Sequence, residues 1–305
     1  MDASVIFATR NREGLLAQTL AHLMRQMVGD VVWELLVVDN GSTDRTPAVL
    51  AEAVERLPLV ALHEPSPGKN RALNRALAVA RGELLIFTDD DVIADPAWVA
   101  NLVAAARRWP EASIFGGRVL LAFPPGTPAW LQEPLHGAMN FARYAPAQFE
   151  CLTDHLPNGP NFAVRACALQ ELRYRESIGP QAGAAYAMGS ETELLVRLRQ
   201  RGARMVYVPS ATVQHVVQKH QLTDRYLLGR SYRLGRGHVR RHGDHEAAPF
   251  VFGAPRYLWR SAFASGVGYL INLPLGQRRR LRHGLWSLFY LGCIAEHRAA
   301  RAAAG

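Results

Sequence analysis

Three adjacent carboxylates, Asp89-Asp90-Asp91, close the apolar run at 84–88. Neighbouring negative charges repel, so a fold that keeps three together needs something to offset them, and a divalent cation is one such partner. Mg²⁺ or Mn²⁺ takes oxygen ligands, uses one or two carboxylates, and leaves positions open for phosphate oxygens. The chemistry expected from that pattern is neutralisation of a departing diphosphate. The competing structural reading is a solvated turn with helix-capping acids, because Asp95 followed by Pro96 has the look of such a cap. A second candidate is VVDNGSTD at 37–44. Asp39 stands where a carboxylate could accept hydrogen bonds from a base or ribose, Asn40-Gly41-Ser42 makes a turn, and Asp44 can cap the next helix; the bland alternative is turn and cap chemistry throughout. Two nucleotide-binding motifs are missing. The first apolar run leads into Thr9-Arg10-Asn11-Arg12 rather than GxGxxG, and Pro67-Gly68-Lys69-Asn70 lacks the first glycine and the Ser/Thr of a P-loop.

The elements that must position these residues alternate. Short β-branched runs at 5–9, 34–38, 59–63, 83–87 and 113–120 are separated by helical patterns at 13–27, 45–56, 69–80 and 96–108. That order predicts an α/β fold with a mostly parallel central sheet flanked by helices. In such folds ligands gather at the carboxyl ends of the strands. Those ends read 9–12, 39–42, 64–68 and 89–91, all small or polar. Residues 121–160 are rich in Pro, Gly and aromatics and are expected to be irregular. A strand at 161–165, a short helix, a Gly/Ala-rich loop, a helix at 191–201, a strand at 203–208 and a basic helix at 222–241 follow, the last weakened by Gly229, Gly235 and Gly237.

The chain of 305 residues is 49% hydrophobic, enough to bury a substantial core. Its charge is uneven: residues 1–196 carry 16 Lys+Arg against 22 Asp+Glu, and residues 197–305 carry 19 against 4. A basic last third suits anionic lipid, a diphosphate-bearing substrate or nucleic acid. Cys151, Cys167 and Cys293 are far apart with no CxxC, which argues against a disulfide framework or structural zinc and for a cytoplasmic setting. No signal peptide and no transmembrane span are expected.

Taken together, VIFATRNR (5–12), VVDNGSTD (37–44), GKNRALN (68–74) and FTDDD (87–91) resemble the family 2 glycosyltransferases, an inverting family with the GT-A fold, over about residues 3–215. The resemblance implies that Thr9 and Arg12 line a base pocket and that Asp39 holds the base or ribose. It puts Gly68 and Arg71 near the nucleotide, Asp89 and Asp90 at the donor, and Asp91 on the metal, with His215 reaching the metal or the diphosphate; a packed core histidine is the alternative there. Gly189-Ser190-Glu191-Thr192-Glu193 stands where the family has its acidic motif. Glu191 occupies the position of the usual catalytic Asp, a departure of Ser-Glu for Glu-Asp, and Ser190 falls on the acceptor side. Glu193 completes a capping-box pattern with Ser190, which leaves Glu191 as the general base that inverting transfer needs; the alternative for Glu191 is complementing the helix dipole. Asn161, in LPNGPN at 156–161, would meet the sugar or acceptor, or else belong to a tight turn.

Residues 250–295 are apolar and aromatic, with runs at 261–275 and 284–295 flanking the arginines of 277–282. Neither run spans a bilayer. With Trp259, Tyr269, Trp286 and Tyr290 beside an arginine cluster, the segment suits an interfacial helix on an anionic membrane, or a helical pair packed on the catalytic domain, or a dimer interface. His238, His242 and His245 read as a solvated basic face, and no RNA-binding module is recognisable, so nucleic acid is not an expected partner. The expected organisation is a GT-A-like catalytic domain over 1–220, with a nucleotide-binding half (1–120) and an acceptor half (121–220), and a basic helical extension over 221–305. The expected reaction is transfer from a nucleotide-diphosphate sugar, a UDP-sugar by family prevalence, to a glycan or lipid-linked acceptor hydroxyl in polysaccharide or cell-envelope glycan synthesis. Peripheral membrane contact and a homo-oligomer accompany that reading. The rivals are a degenerate GT-A domain kept for binding and a sugar nucleotidyltransferase, which would want a glycine-rich basic loop after the first strand.

Overall fold

A computed structural model of the chain describes residues 1–133, 141, 143–181, 186–242 and 248–304. In chain order the elements are β1 (Ala3–Thr9), α1 (Glu13–Leu23), β2 (Trp33–Asp39), α2 (Thr46–Val54), β3 (Leu59–His63), α3 (Lys69–Leu77), β4 (Leu84–Phe87), β5 (Val92–Ala94), α4 (Trp98–Arg108), β6 (Ala112–Ala122), α5 (Ala129–Gln132), β7 (Cys151–Leu152), β8 (Phe162–Arg165), α6 (Ala166–Leu169), α7 (Ser190–Gln200), β9 (Arg204–Val216), α8 (Asp224–His242), β10 (Phe250–Val251), β11 (Ala254–Pro255), α9 (Arg256–Ile271) and α10 (Gln277–Ala304). They divide into two compact units. The first holds residues 1–122, 143–176 and 190–216, and the second holds 123–142, 177–189 and 217–305.

In the first unit one sheet runs in the order β3-β2-β1-β4-β8-β6-β9-β5, with β7 beside β9. Strands β1 to β4 are parallel, as are β6 and β9, and these account for most of the paired length; β8, β5 and β7 run antiparallel to their neighbours. The two-residue period of a strand sends successive side chains to opposite faces. Val5, Phe7, Leu35 and Val37 accordingly pack with Leu16, Leu20, Trp98 and Leu102 on one face. Ile6, Leu36 and Val38 pack with Ala72, Leu73, Leu194 and Leu198 on the other. This is why the strands read as continuous apolar runs rather than alternating ones: both faces are covered.

Three local expectations are corrected. The strand expected at 203–208 continues to Val216, because its second half pairs with β5, a three-residue strand that the sequence reading passed over. Asp95 does not cap α4. That helix starts at Trp98, and Asp95 Oδ1 instead accepts the N–H of Ala97 at 3.0 Å, closing a turn ahead of the helix. The span at 121–160, expected to be irregular, contains the short α5 and β7; residues 134–140 and 142 lie outside the described residues.

In the second unit two of the three glycines of α8, Gly235 and Gly237, are packing positions; Gly229 meets only the end of Arg233. A Cβ on Gly235 would lie 2.0 Å from the Phe289 carbonyl oxygen, and one on Gly292 would lie 2.0 Å from that of Tyr232. The two helices thus approach backbone to backbone, and the helix-propensity cost of glycine is offset by that close packing. Gly237 meets the Met188 carbonyl in the same way, at 1.7 Å. Around this crossing Ser231 donates to the Leu285 carbonyl at 2.6 Å, and Arg236 and Arg240 hold the buried Glu296. The rings of His238 and His242 lie 4.4 Å apart at a tilt of 31°, with His238 also against Phe289; His245 lies outside the described residues.

Candidate functional site

The parallel register sets the site. Thr9 is opposite Asp39, and Asp39 is opposite His63, so three strands end level. Beyond them the chain is tied by side chains to backbone. Asp39 Oδ1 accepts the Ser42 N–H at 2.9 Å. Asn40 donates to the carbonyls of Glu64 and Ser66 and accepts the Gly68 N–H at 2.8 Å. Asn11, in a left-handed conformation at φ 51°, accepts the Thr43 N–H at 2.7 Å. These bonds fix the loops that follow β1, β2 and β3 as one rim. Gly68 (φ 153°) lets the chain turn directly into α3, so that Lys69 opens the helix on the site side.

The aspartate triplet splits into three differently partnered groups. Asp90 turns inward: Thr9 donates to its Oδ2 at 2.7 Å and Arg12 to its Oδ1 at 2.9 Å. Burial raises its pKa, the Asp91 charge adds to the rise, and the Arg12 guanidinium works against both. Asp91 takes Arg12 on Oδ2 at 2.8 Å, and His215 Nε2 stands 3.1 Å from Oδ1. Burial opposes its ionisation, but His215 and Arg12 hold it below the usual carboxylate range. Val92 lies opposite His215 in the β5–β9 ladder, and the Val216 N–H donates to the Asp91 carbonyl at 2.8 Å; that pairing delivers the histidine. Asp89 accepts from Lys69 Nζ at 2.7 Å, and the same ammonium donates to Glu191 Oε1 at 2.8 Å. Burial disfavours the charge on Lys69, yet the two carboxylates outweigh it and hold its pKa well above the ordinary lysine value.

Asp89, Asp91 and His215 each offer a ligand atom, and the three atoms lie within 4.8 Å of one another. The Oδ1 of Asp91 is buried and receives no hydrogen bond among the described residues. A buried carboxylate oxygen whose one near neighbour is an imidazole nitrogen at 3.1 Å fits a shared cation ligand, and two carboxylates with an imidazole are a donor set that Mg²⁺ or Mn²⁺ accepts. Asp89, expected at the donor sugar, thus also belongs with the candidate metal ligands.

Glu191 is the second residue of α7. Gly159 makes room for it, since a Cβ there would sit 3.1 Å from the Glu191 carboxyl carbon. Ser190 is buried beneath it at the helix start. The expected capping use of Glu193 is corrected: its two oxygens go to Arg175 at 3.0 Å and Arg197 at 2.7 Å. Asn161 is fully buried. Its amide donates to the carbonyls of Arg118 and Ala211 and accepts from Trp98 Nε1 at 2.8 Å, so both N–H groups are spent on clasping β6, β9 and α4 and none is left to offer an acceptor. Arg71 pairs with Glu176 at 3.0 Å, both half-exposed, apart from the carboxylate cluster.

Sequence reasoning missed Lys69 and Tyr174. The Tyr174 hydroxyl is buried with no hydrogen-bond partner among the described residues. Burial first, then the nearby Glu191, raises its pKa far above the ordinary tyrosine value. The one signal for Lys69 was its place just after Gly68, at a helix start near the strand ends.

A parallel sheet with an acidic, histidine-bearing cluster at its strand ends, elaborated by antiparallel strands, is the GT-A arrangement of nucleotide-diphospho-sugar transferases. The chain belongs to glycosyl transferase family 2, whose family model matches residues 4–173. It is 36% identical over 104 residues to validoxylamine A glucosyltransferase of Streptomyces hygroscopicus subsp. limoneus, covering 33% of this chain and 23% of that protein. Across three such relatives the aligned stretch spans between 17% and 34% of their lengths. Its fold is similar to that of S. aureus TarS 1–349 solved with UDP (TM-score 0.56, 15% identity, 99% of this chain and 92% of that one). It is also similar to mannosyltransferase PcManGT from Pyrobaculum calidifontis solved with GDP-Man and Mn²⁺ (TM-score 0.53, 21% identity, 99% and 75%).

Proposed function

We propose that this protein is a metal-dependent glycosyltransferase that moves a sugar from a nucleotide-diphosphate sugar to an acceptor hydroxyl in glycan synthesis, with inversion at the anomeric carbon. The observation that carries this reading is the Lys69 ammonium, which joins Asp89 to Glu191 and so sets a helix-borne carboxylate beside the Asp89–Asp91–His215 cluster. Asp91 and His215, with Asp89, are the residues that would hold Mg²⁺ or Mn²⁺. When bound, such a cation supplies neutralising charge for the departing diphosphate. Arg12, shared between Asp90 and Asp91, orients the ligand carboxylate. Lys69 holds Glu191 Oε1 at 2.8 Å, which fixes that carboxylate where a general base is needed. Glu191 then accepts the proton of the acceptor hydroxyl as its oxygen bonds to the anomeric carbon. The sugar–phosphate bond breaks, and its electron pair leaves with the nucleoside diphosphate.

On this reading Thr9, Arg12, Asp39, Gly68 and Arg71 border the donor nucleotide, while Ser190 and the 156–161 loop border the acceptor, a glycan or a lipid-linked sugar. Asn161 serves that loop by clasping it from beneath. A UDP-sugar is the proposed donor. The likeness of the fold to TarS solved with UDP supports it, and the GDP-Man complex of PcManGT makes a guanosine donor the arm to test against. Calorimetry with UDP, GDP and dTDP, each with and without Mn²⁺, tests the reading. Mn²⁺-dependent binding of UDP is expected. Preference for another nucleotide would reassign the donor, and no binding of any would leave a degenerate GT-A domain that binds something else.

A further inference from the structure

Helix α9 carries a stripe of outward side chains that its own unit leaves uncovered. Arg256, Arg260, Phe263 and Val267 follow one another at intervals of three or four residues, Leu270 and Ile271 lie three and four beyond Val267, so the six share one helix face, and all are exposed. The opposite face is buried through Leu258 and Ala262, the Ala262 carbonyl accepting from Ser287 on α10 at 3.0 Å. The stripe is basic where it begins and apolar where it ends. Phe263 is 75% exposed, Leu270 61% and Ile271 65%, and the turn into α10 adds Leu275 at 52%. The apolar stretch from Phe263 to Ile271 is about 12 Å long. A single exposed leucine needs no explanation, but a contiguous apolar patch of this kind does.

We infer that this α9–α10 hairpin is a membrane-docking edge whose partner is the surface of an anionic bilayer. Charge selects that occupant. Arg278 and Arg279, on the first turn of α10, and Arg282 just beyond it are exposed beside the apolar end. Arg279 and Arg282 make no ion pair among the described residues, and Arg278 pairs at 3.2 Å with Glu133, itself exposed. Residues 197–305 as a whole hold 19 Lys+Arg against 4 Asp+Glu. A second copy of the same face would bring these arginines against their like, whereas lipid phosphates neutralise them while the acyl boundary takes Phe263, Leu270 and Ile271. No helix among the described residues is long and apolar enough to cross a membrane, so the contact is interfacial. The antiparallel packing of α9 on α10 holds the stripe in shape before it meets lipid. Gly268 lies against His283, and Gly284 against Tyr269, where a Cβ would clash at 2.7 Å.

The inference stands apart from the proposed reaction, and its readout is binding, not turnover. The full chain is mixed with vesicles of phosphatidylcholine alone or with phosphatidylglycerol added, and bound protein is measured by flotation. Binding to the anionic vesicles, weakened by salt, is expected. Phe263→Ser with Ile271→Ser should lower the affinity about tenfold or more. Each of Arg278→Ser, Arg279→Ser and Arg282→Ser should lower it about fivefold at low salt. All five positions are exposed, and unchanged thermal melting of each variant checks that the fold persists. Absence of wild-type binding would overturn the inference, as would equal binding to neutral vesicles. Full retention by the Phe263/Ile271 variant would reduce the contact to charge alone and overturn the docking edge. A wild-type dimer that the same two serines dissociate, with no lipid binding, would assign the face to a second copy instead.

Discussion

The two units handle charge in opposite ways. At the strand ends of the first, acidic groups are buried or half-buried, and each is answered by a particular cation: Asp90 and Asp91 by Arg12, Asp91 by His215, Asp89 and Glu191 by Lys69. In the second, most arginines of α9 and of the start of α10 stand in the open beside apolar side chains, and among the described residues Glu296 is the buried carboxylate, held between Arg236 and Arg240. Buried, paired charge is costly and conformationally specific, which suits a site that must hold atoms in place. Exposed charge beside exposed apolar surface is inexpensive and unspecific, which suits adhesion to a surface with no fixed shape.

The largest effect is expected at Glu191. If the strand-end charges serve chemistry, Glu191→Gln should cut turnover by about 10²–10⁴-fold, the range of a lost general base, while nucleotide binding measured by calorimetry persists. Unchanged turnover would put the base elsewhere and return the cluster to a structural role. The next effect is in the second unit. Gly235→Ala should destabilise by about 1–3 kcal/mol, because its new methyl meets the Phe289 backbone. Gly229→Ala, in the same helix, meets only the flexible end of Arg233 and should stabilise by about 0.5–1 kcal/mol. Thermal melts of the pair distinguish a packing glycine from an idle one; equal shifts would remove the close crossing from the account.

The smallest effect concerns a paired charge away from the site. Glu34, buried at β2, accepts from Ser4 at 2.7 Å and from Arg81, whose guanidinium contacts it at 2.6 Å. Burial pushes its pKa up, but these partners together hold it below the usual glutamate value. A folded-state pKa below the unfolded one adds stability that is present above the unfolded value and is lost as pH falls through the folded one. The stability gap between wild type and Glu34→Gln should therefore be full at neutral pH and shrink below about pH 4. Denaturant titrations at several pH values check this, and a gap independent of pH would deny the carboxylate that role.

Much of the fold was legible because its signals are local. Strands β1 to β4 and helices α1 to α3 announced themselves by apolar runs and by what punctuates them, and the rule that ligands meet strand ends found Thr9, Asp39 and the aspartates. Other parts were not legible, for a common reason. Lys69 lies 122 residues from Glu191, and no spacing advertises that they meet. His215 read as lying beyond a strand because β5, which holds it beside Asp91, is too short to show periodicity. Asn161 looked available because the three groups that use up its amide come from Trp98, Arg118 and Ala211. Gly235 looked like weakness because propensity is a property of one helix, and its use belongs to the crossing of α8 with α10.

Composition and short-range periodicity were enough for the layered α/β class, the acidic strand ends and the basic character of the last third, and the resemblance of the motifs at 5–12, 37–44, 68–74 and 87–91 pointed to the family. Only tertiary structure decided which carboxylates share a cation, which polar groups are spent inside, and which apolar side chains of α9 stay uncovered. Those outcomes depend on which distant segments come within a few ångströms, and hydrogen bonds and packing act only at that range.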